Sequence, residues 1–307
     1  MRWYKEIFYI AWHFGLKAMW EIAICPRLFK SQKRSEGILS FLERVSKERM
    51  DELRLNTQHE LGTQPRDCNI WVCWLQGEEK MPETIKKCYD SLLRNKGNHS
   101  VVLITNENLS DYVSLPNHII FKHDKGIISN THFSDIVRCY LLWKYGGIWI
   151  DAALYVTKEV DFHNTSFFTP KITNEDLINQ KWTVGCLASN QGFYLFEFAY
   201  CLLIDYWKTY NKPIEYLLLD HVFLLAYRNN SEIKRIIDEI PLNNTDLHRS
   251  RYLFNEKCDE KVFQQMIKNN TFLSLTWRFN YETISEDGAL TYYGRLLLEF
   301  EDKKKGH

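Results

Sequence analysis

The stretch from Ser134 to Asp151 constrains this chain more than any other. Asp135 and Arg138 stand three residues apart at the head of a helical run whose apolar positions include Ile136, Val137, Tyr140 and Leu141. Gly146 and Gly147 then break the helix. Ile148, Trp149 and Ile150 read as a buried strand, and Asp151 ends it. The unit is a helix, a tight turn and a strand that delivers an acid to a strand's carboxyl end. In open α/β sheets that edge is where ligands bind.

The flanking sequence alternates in the same way. Residues 69–74, 100–105 and 118–121 read as strands, and 132–144 as a helix. Pro82, at a position proline favours, opens another helix that runs to residue 93. Strands alternating with helices of this length imply βαβ units and a mostly parallel sheet. Beyond Asp151 the pattern is mixed, with strands expected over 154–156, 166–169, 183–189 and 271–275. Helices are expected over 193–207, 214–227, 231–239 and 260–268. Two helical patterns precede all of this, at 2–24 and 36–60, and a loop around Gly62, Pro65 and Asp67 closes them off. The expected organisation is an N-terminal helical extension over 1–65, an α/β domain over 66–300 and a charged tail over 301–307.

Charge removes one class of partner. Lys+Arg and Asp+Glu number 39 each, so no net field draws the chain to nucleic acid. Aromatics make up 15%, enough to serve both a core and faces that stack on bases or sugars. The eight cysteines form no Cys-x-x-Cys pair and no zinc-like grouping with histidine, which fits a reducing cytoplasm. No Gly-x-Gly-x-x-Gly, Walker, Gly-x-Ser-x-Gly or His-Glu-x-x-His pattern is present, so dehydrogenase, P-loop, α/β-hydrolase and zincin chemistry lose ground.

Residues 2–24 place Trp3, Ile7, Ile10, Phe14 and Ala18 on one broad face, thickened by Phe8, Trp12 and Trp20. Arg2, Lys5, Lys17, Arg27 and Lys30 outnumber Glu6 and Glu21 here. Such a helix either lies in the interface of an anionic membrane or packs on the protein's own core. Charged residues interrupt it well short of the roughly 20 apolar residues that span a bilayer. It also lacks the cleavage site of a signal peptide.

Each candidate site residue has a plain structural reading beside a functional one. Asp135 and Arg138 make a surface ion pair worth less than about 1 kcal/mol, or a pair that holds sugar hydroxyls and phosphate. Gly146 and Gly147 are a helix cap and turn, or backbone left open to a ligand. Asp151 follows an apolar strand, where a carboxylate is costly unless paired, bound to Mg²⁺ or Mn²⁺, or at the open strand end. Trp74, Gln76 and Gly77 are core and turn, or a platform on which a base stacks. Asp220 and His221 are satisfied core groups, or a site that faces inward. Trp277 and Arg278 add a stacking face and a cation for phosphate.

The combined run resembles a known family. It comprises Ile70, Trp71, Val72, Cys73, Trp74, Leu75, Gln76 and Gly77, then Met81, Pro82 and Cys88. Lys125 to Ser129 follow, and then Ser134, Asp135 and Arg138 through Tyr145, Gly146, Gly147, Trp149 and Asp151. This looks like the capsular polysaccharide synthesis proteins, which are similar to glycosyltransferase family 32 with its D-x-D sugar-binding region. The resemblance is dense over residues 68–160 and looser through Asp220, His221, Trp277 and Arg278. It implies a GT-A fold, a nucleotide-sugar donor, a divalent metal and transfer with retention. By the same resemblance Trp74 stacks the base, Asp135 and Arg138 hold the donor sugar, and Asp151 is the first acid of the D-x-D and a metal ligand. Trp277 and Arg278 close over the diphosphate. Gln76, Gly77, Ser134, Gly146 and Gly147 complete the donor-binding set, and Asp135, Arg138 and Asp220 the catalytic one. His221 or Asp220 is a further candidate ligand. The chain departs from the pattern at Asp151, Ala152 and Ala153, where an alanine replaces the second acid.

The expected protein is a retaining hexosyltransferase that builds a capsule or lipopolysaccharide-type glycan on a lipid-linked acceptor. It would be cytoplasmic, in peripheral contact with the inner membrane face through residues 1–25. The alternatives are a catalytically inactive scaffold that binds nucleotide-sugar or glycan, and a donor hydrolase.

Overall fold

The computed structural model describes residues 3–28, 34–56, 67–162, 165–173 and 181–305. The expected domain boundary at 65 lies outside them. Helix α1 (Trp3–Met19) is broken at Gly15, where φ is 88°, and continues through a π-helical turn into α2 (Cys25–Leu28). Two helices, α3 (Arg34–Val45) and α4 (Lys47–Leu55), divide the run expected over 36–60, because Ser46 leaves helical geometry between them. Then come β1 (Asn69–Cys73), α5 (Glu83–Asn95), β2 (Ser100–Ile104), α6 (Leu109–Tyr112) and α7 (Asn117–Asp124). Next are α8 (Asn130–Tyr145), β3 (Gly147–Ile150), β4 (Leu154–Val156), β5 (Phe167–Phe168) and β6 (Cys186–Ser189). Helices α9 (Tyr194–Thr209), α10 (Leu218–Asn229), α11 (Ser231–Asp238), α12 (Ser250–Leu253) and α13 (Glu260–Asn269) follow. Strand β7 (Phe272–Ser274) and α14 (Tyr292–Lys305) come last.

The expected mostly parallel, GT-A-like sheet is not what forms. Helices dominate the regular structure, and the main sheet is mixed, in the order β2-β1-β3-β6-β5. Strand β1 runs parallel to β2 and β3, whereas β6 is antiparallel to β3 and to β5. Strands β4 and β7 form a separate antiparallel pair. Antiparallel pairings therefore outnumber parallel ones, and periodicity could not have said so, since a short apolar run reads alike in either direction. The same ambiguity explains residues 118–121, expected as a strand but found inside α7, where Ile119 is buried and Ile120 exposed.

Side chains leave the sheet alternately on its two faces. Ile70, Val72, Ile148, Ile150, Cys186 and Ala188 share one hydrophobic cluster. Trp71, Trp149, Leu187 and Phe167 enter the other and larger one. Helices α8, α9 and α10 cover that second face with Ile136, Leu141, Phe196, Leu203 and Phe223. Leu42 of α3 and Ile10, Phe14 and Ala18 of α1 join the same core. A third cluster, with Tyr155, Phe254, Phe263, Leu273 and Tyr293, lies under the C-terminal helices.

Glycine is required where α8 turns into β3. A Cβ on Gly147 would stand 2.5 Å from the Asn69 carbonyl oxygen, and one on Gly146 would stand 2.5 Å from the Gln191 nitrogen. Both have positive φ, 93° and 66°. The Trp71 indole N–H donates to the Gly146 carbonyl at 2.9 Å and locks the turn against β1. Gly147→Ala combines left-handed strain with overpacking and should lower stability by roughly 2–4 kcal/mol. An unchanged urea midpoint, followed by far-UV circular dichroism, would contradict this account of the turn.

Candidate functional site

One face of α8 carries the first part of the site. His132, Asp135 and Arg138 repeat at three-residue steps, which stacks them on a helix surface, and all three are buried. Ser129 caps the helix by accepting the His132 backbone N–H at 3.3 Å. Strand β3 supplies the second part. Trp149 and Asp151 are two residues apart and so project to the same side of the strand, the side that α8 covers.

These elements meet at Arg138. Its Nη2 lies 3.1 Å from Asp135 Oδ1 and 3.3 Å from Asp151 Oδ1, and its Nη1 donates to the Val184 carbonyl. The guanidinium sits 4.9 Å from the Trp149 ring centroid, within cation–π range. The Trp149 indole N–H donates to Asp151 Oδ1 at 2.7 Å. Gly185 closes the other side, its carbonyl accepting the Asp151 N–H at 2.7 Å, and a Cβ there would stand 2.9 Å from Asp151 Oδ2. The Asp151 side chain keeps 39% of its surface exposed, which makes it the open member of the group.

Electrostatics follow from one cation among several acids. Burial opposes the charge on Arg138, yet Asp151 and Asp135 more than offset it and hold its pKa above the ordinary value. Burial raises the Asp151 pKa, against the pull of Arg138. Asp220, on the first turn of α10, is pushed up to about 7 by burial and then by the Asp135 charge, with Arg138 opposing. Cys73, ending β1 beside this group, is pushed up to about 12 by burial, so it stays a thiol. Asp220 Oδ1, Arg138 Nε and His132 Nδ1 are buried with no hydrogen-bond partner among the described residues. Buried polar atoms are rarely left so, and here they collect around one point.

Other expected site residues fall near this group or away from it. Since β1 and β3 are parallel, Trp74, Gln76 and Gly77 lie at the same sheet edge as Asp151. Trp74 is half-buried with an indole nitrogen that has no hydrogen-bond partner among the described residues, Gln76 is exposed, and Gly77 has φ 85°. Trp277 and Arg278 follow β7, two and three residues past Leu275, whose N–H donates to the Ala153 carbonyl at 2.9 Å in the turn after Asp151. Arg278 lies 5.7 Å from the Trp277 ring centroid, and both are exposed. Ser134 turns back to donate to the Thr131 carbonyl at 2.8 Å. Gly146 and Gly147 sit at the amino end of β3, packed on Gln191 and Asn69, at the opposite end of the strand from Asp151. His221 pairs its Nδ1 with the Leu217 carbonyl at 2.8 Å and lies towards Glu215 and Arg34, its pKa lowered by burial.

Four contributors, His132, Trp149, Val184 and Gly185, lie outside the residues expected from the sequence. His132 was legible in its three-residue spacing to Asp135, and Trp149 in its two-residue spacing to Asp151. Gly185 carried no such signal, because its contact arises from the antiparallel pairing of β3 with β6.

A divalent cation finds few protein ligands here. Among the described residues no group of three or more His, Cys, Asp or Glu side chains could hold a metal. Asp151 Oδ1 is committed to Arg138 and Trp149, while Oδ2 lies towards Gly185, where no side chain intrudes. The residues present fit a cation that takes one carboxylate oxygen from the protein and the rest from substrate and water, as Mg²⁺ commonly does.

Residues 24–296 match the family described as "Capsular polysaccharide synthesis protein". The chain belongs to that family. It is also 30% identical over 116 residues to "O-glycosyltransferase braB" of Annulohypoxylon truncatum. That match covers 35% of this chain and 27% of the relative, so the chain spans about a quarter of that protein's length. Among solved structures it is similar to "PaToxG Glycosyltransferase", at 12% identity and a TM-score of 0.41, over 68% of this chain and 91% of the other. A structural likeness that low carries no argument about chemistry. The homology in this family is to glycosyltransferases, at the level of the family and no finer.

Asp220 yields a test of the site's electrostatics. Its folded pKa of about 7 lies above the ordinary 3.8, so the buried neutral acid stabilises the fold at low pH. That contribution fades as pH rises from about 4 and is lost by about 7. Asp220→Asn escapes the loss. Its stability relative to wild type should therefore climb between pH 4.5 and 7.5 by a few kcal/mol, since each pH unit crossed between the unfolded and folded pKa values is worth about 1.4 kcal/mol. Urea titrations at both pH values measure this, and a constant difference would contradict the buried-acid assignment.

Proposed function

We propose that the protein is a retaining glycosyltransferase that moves a sugar from a nucleotide-sugar donor to a surface glycan of the capsule or lipopolysaccharide type, on a lipid-linked acceptor. The observation that carries this reading is the surplus of acid around Arg138. Asp135, Asp151 and Asp220 surround a single cation, at a sheet edge, in a chain of this family. A pocket with spare negative charge favours a transition state in which positive charge develops on the sugar, and such preorganised electrostatics are usually the largest catalytic term.

In this mechanism the glycosyl–oxygen bond to the diphosphate breaks, and its electron pair leaves with the diphosphate. The acceptor hydroxyl adds to the anomeric carbon from the same face, and its proton passes to a diphosphate oxygen. Asp220, ionised above pH 7, stabilises the positive sugar. Asp135 and Asp151 accept hydrogen bonds from sugar hydroxyls, and Arg138 fixes both carboxylates in place. Trp74 stacks the base, Gln76 hydrogen-bonds it, and Gly77 leaves room for the backbone to approach. Arg278, on the exposed loop with Trp277, meets the diphosphate. Asp151 Oδ2 would hold Mg²⁺ or Mn²⁺, whose chemistry is to neutralise the departing diphosphate.

A panel of nucleotide-sugars incubated with the protein tests the reading. Slow hydrolysis of one donor without acceptor, and transfer with it, is the expected result. Binding without turnover, even with acceptor, would favour the scaffold alternative that Ala153 motivates. Arg138→Lys keeps the charge but loses the fork that bridges two carboxylates, and turnover should fall by about 10²–10³. Calorimetry of donor binding with and without Mn²⁺ tests Asp151, since equal affinities in wild type and Asp151→Ala would remove its role. Turnover should rise with pH through a half-maximum near 7 and level off above it in wild type, and should not do so in Asp220→Asn.

A further inference from the structure

Helix α1 has two faces with different surroundings. Ile10, Phe14 and Ala18, followed by Ile22, are buried in the main core, where Phe14 lies 5.6 Å from Phe41 and 5.4 Å from Tyr210 between ring centroids. Phe8 and Trp12 before the Gly15 break, and Leu16 and Trp20 after it, are by contrast 72%, 86%, 73% and 48% exposed. Trp3 and Tyr4 are exposed as well. Single exposed apolar residues are ordinary on a protein surface. Six within one short stretch, three of them tryptophan, form a patch of the kind that marks an interaction site.

Charge narrows the partner. Lys5 and Lys17 are exposed among these side chains, while the acids of the segment turn elsewhere. Glu6 pairs with Arg27 at 2.5 Å and Arg34 at 2.7 Å. Glu21 pairs with Arg44 at 2.9 Å and reaches Lys17 only at 3.9 Å. The exposed face is therefore apolar, indole-rich and net basic. Among the described residues no helix is long and apolar enough to cross a membrane. Indole rings with flanking lysines on one side of a helix are the signature of an element that lies at headgroup depth. We infer that α1 and the π-helical turn after it dock on an anionic phospholipid surface, with Phe8, Trp12, Leu16 and Trp20 entering the interface and Lys5 and Lys17 meeting the headgroups.

The docked helix would sit close to the site. The Tyr9 hydroxyl donates to the Pro213 carbonyl at 3.3 Å, and Arg34 pairs with Glu215 at 3.1 Å. The neighbouring Tyr216 meets His132 edge-on at 6.2 Å, and His132 stands 3.6 Å from Asp135. The α9–α10 connection thus links the membrane face to the acid cluster, on the route a lipid-linked acceptor would take. That last step rests on the proposed transferase activity; the docking itself does not.

Flotation with phosphatidylglycerol-containing vesicles, against pure phosphatidylcholine vesicles, tests the docking without any donor. The full chain should float with the anionic vesicles, and less so as salt is raised. A triple variant, Phe8→Ser with Trp12→Ser and Leu16→Ser, should bind at least about tenfold more weakly, given the apolar area removed, with an unchanged urea midpoint. Lys5→Glu with Lys17→Glu should weaken binding to anionic vesicles while leaving the apolar face intact. Failure of the wild type to float, or equal flotation of the triple variant, would overturn the inference. So would sedimentation showing that the wild type is a dimer that the triple variant dissociates, which would make the occupant a second copy of the chain. A protein that floats but turns over no donor would separate the two proposals.

Discussion

Arg138 keeps only 3% of its surface exposed, and a guanidinium so enclosed must be matched by its surroundings. Removing one partner of a buried ion pair costs about 3–5 kcal/mol, because the other charge is left stranded. The partners of Arg138 come from separate elements: Asp135 from its own helix, Asp151 and Trp149 from β3, and the Val184 carbonyl from the segment before β6. The cation therefore fixes the helix against the sheet as well as ordering the acids. One positive charge does not neutralise three carboxylates, and the Asp135 charge adds to burial in raising the pKa of Asp220. Packing requirement and chemical potential are the same arrangement seen from two sides.

That arrangement depends on how α8 joins β3. The two glycines are the positions where the backbone turns left-handed with a carbonyl or amide within contact distance of any added Cβ. The turn they make lies at the amino end of the strand, with Gly147 four residues before the acid that the strand delivers. The helix, break, strand and terminal acid were all legible in the sequence, because each rests on local periodicity or on glycine's conformational range. Which end of the strand each residue would occupy was legible too. What the glycines touch was not, since Asn69 and Gln191 come from distant parts of the chain.

Strand direction is the clearest case of information that local pattern lacks. The three strands nearest the N-terminus, β1, β2 and β3, do run parallel, as alternating helices and strands suggest. Strand β6 then pairs antiparallel with β3, and this reversal brings Val184 and Gly185 to Arg138 and Asp151. A purely parallel sheet would offer no such return, so the site's back wall depends on the one feature that apolar periodicity does not encode. His132 and Trp149, by contrast, follow the same spacing rules as Asp135 and Asp151 and could have been read with them.

The departure at Ala153 can be understood from the same geometry. The Asp151 carbonyl accepts the Leu154 N–H at 2.9 Å, so Ala152 and Ala153 occupy a tight turn between β3 and β4. What the fold uses at Ala153 is its carbonyl, which receives the Leu275 N–H and begins the pairing of β4 with β7. Trp277 and Arg278 follow that pairing in the chain. A carboxylate at this turn would add a fourth acid to a group that already outnumbers its cation. Alanine leaves the turn neutral, and the proposed mechanism takes its positive charge for the diphosphate from Arg278. On the proposed mechanism, this exchanges a second ligand for a metal for a cation that meets the diphosphate directly, and it places the catalytic demand on Arg278 and Asp151 together.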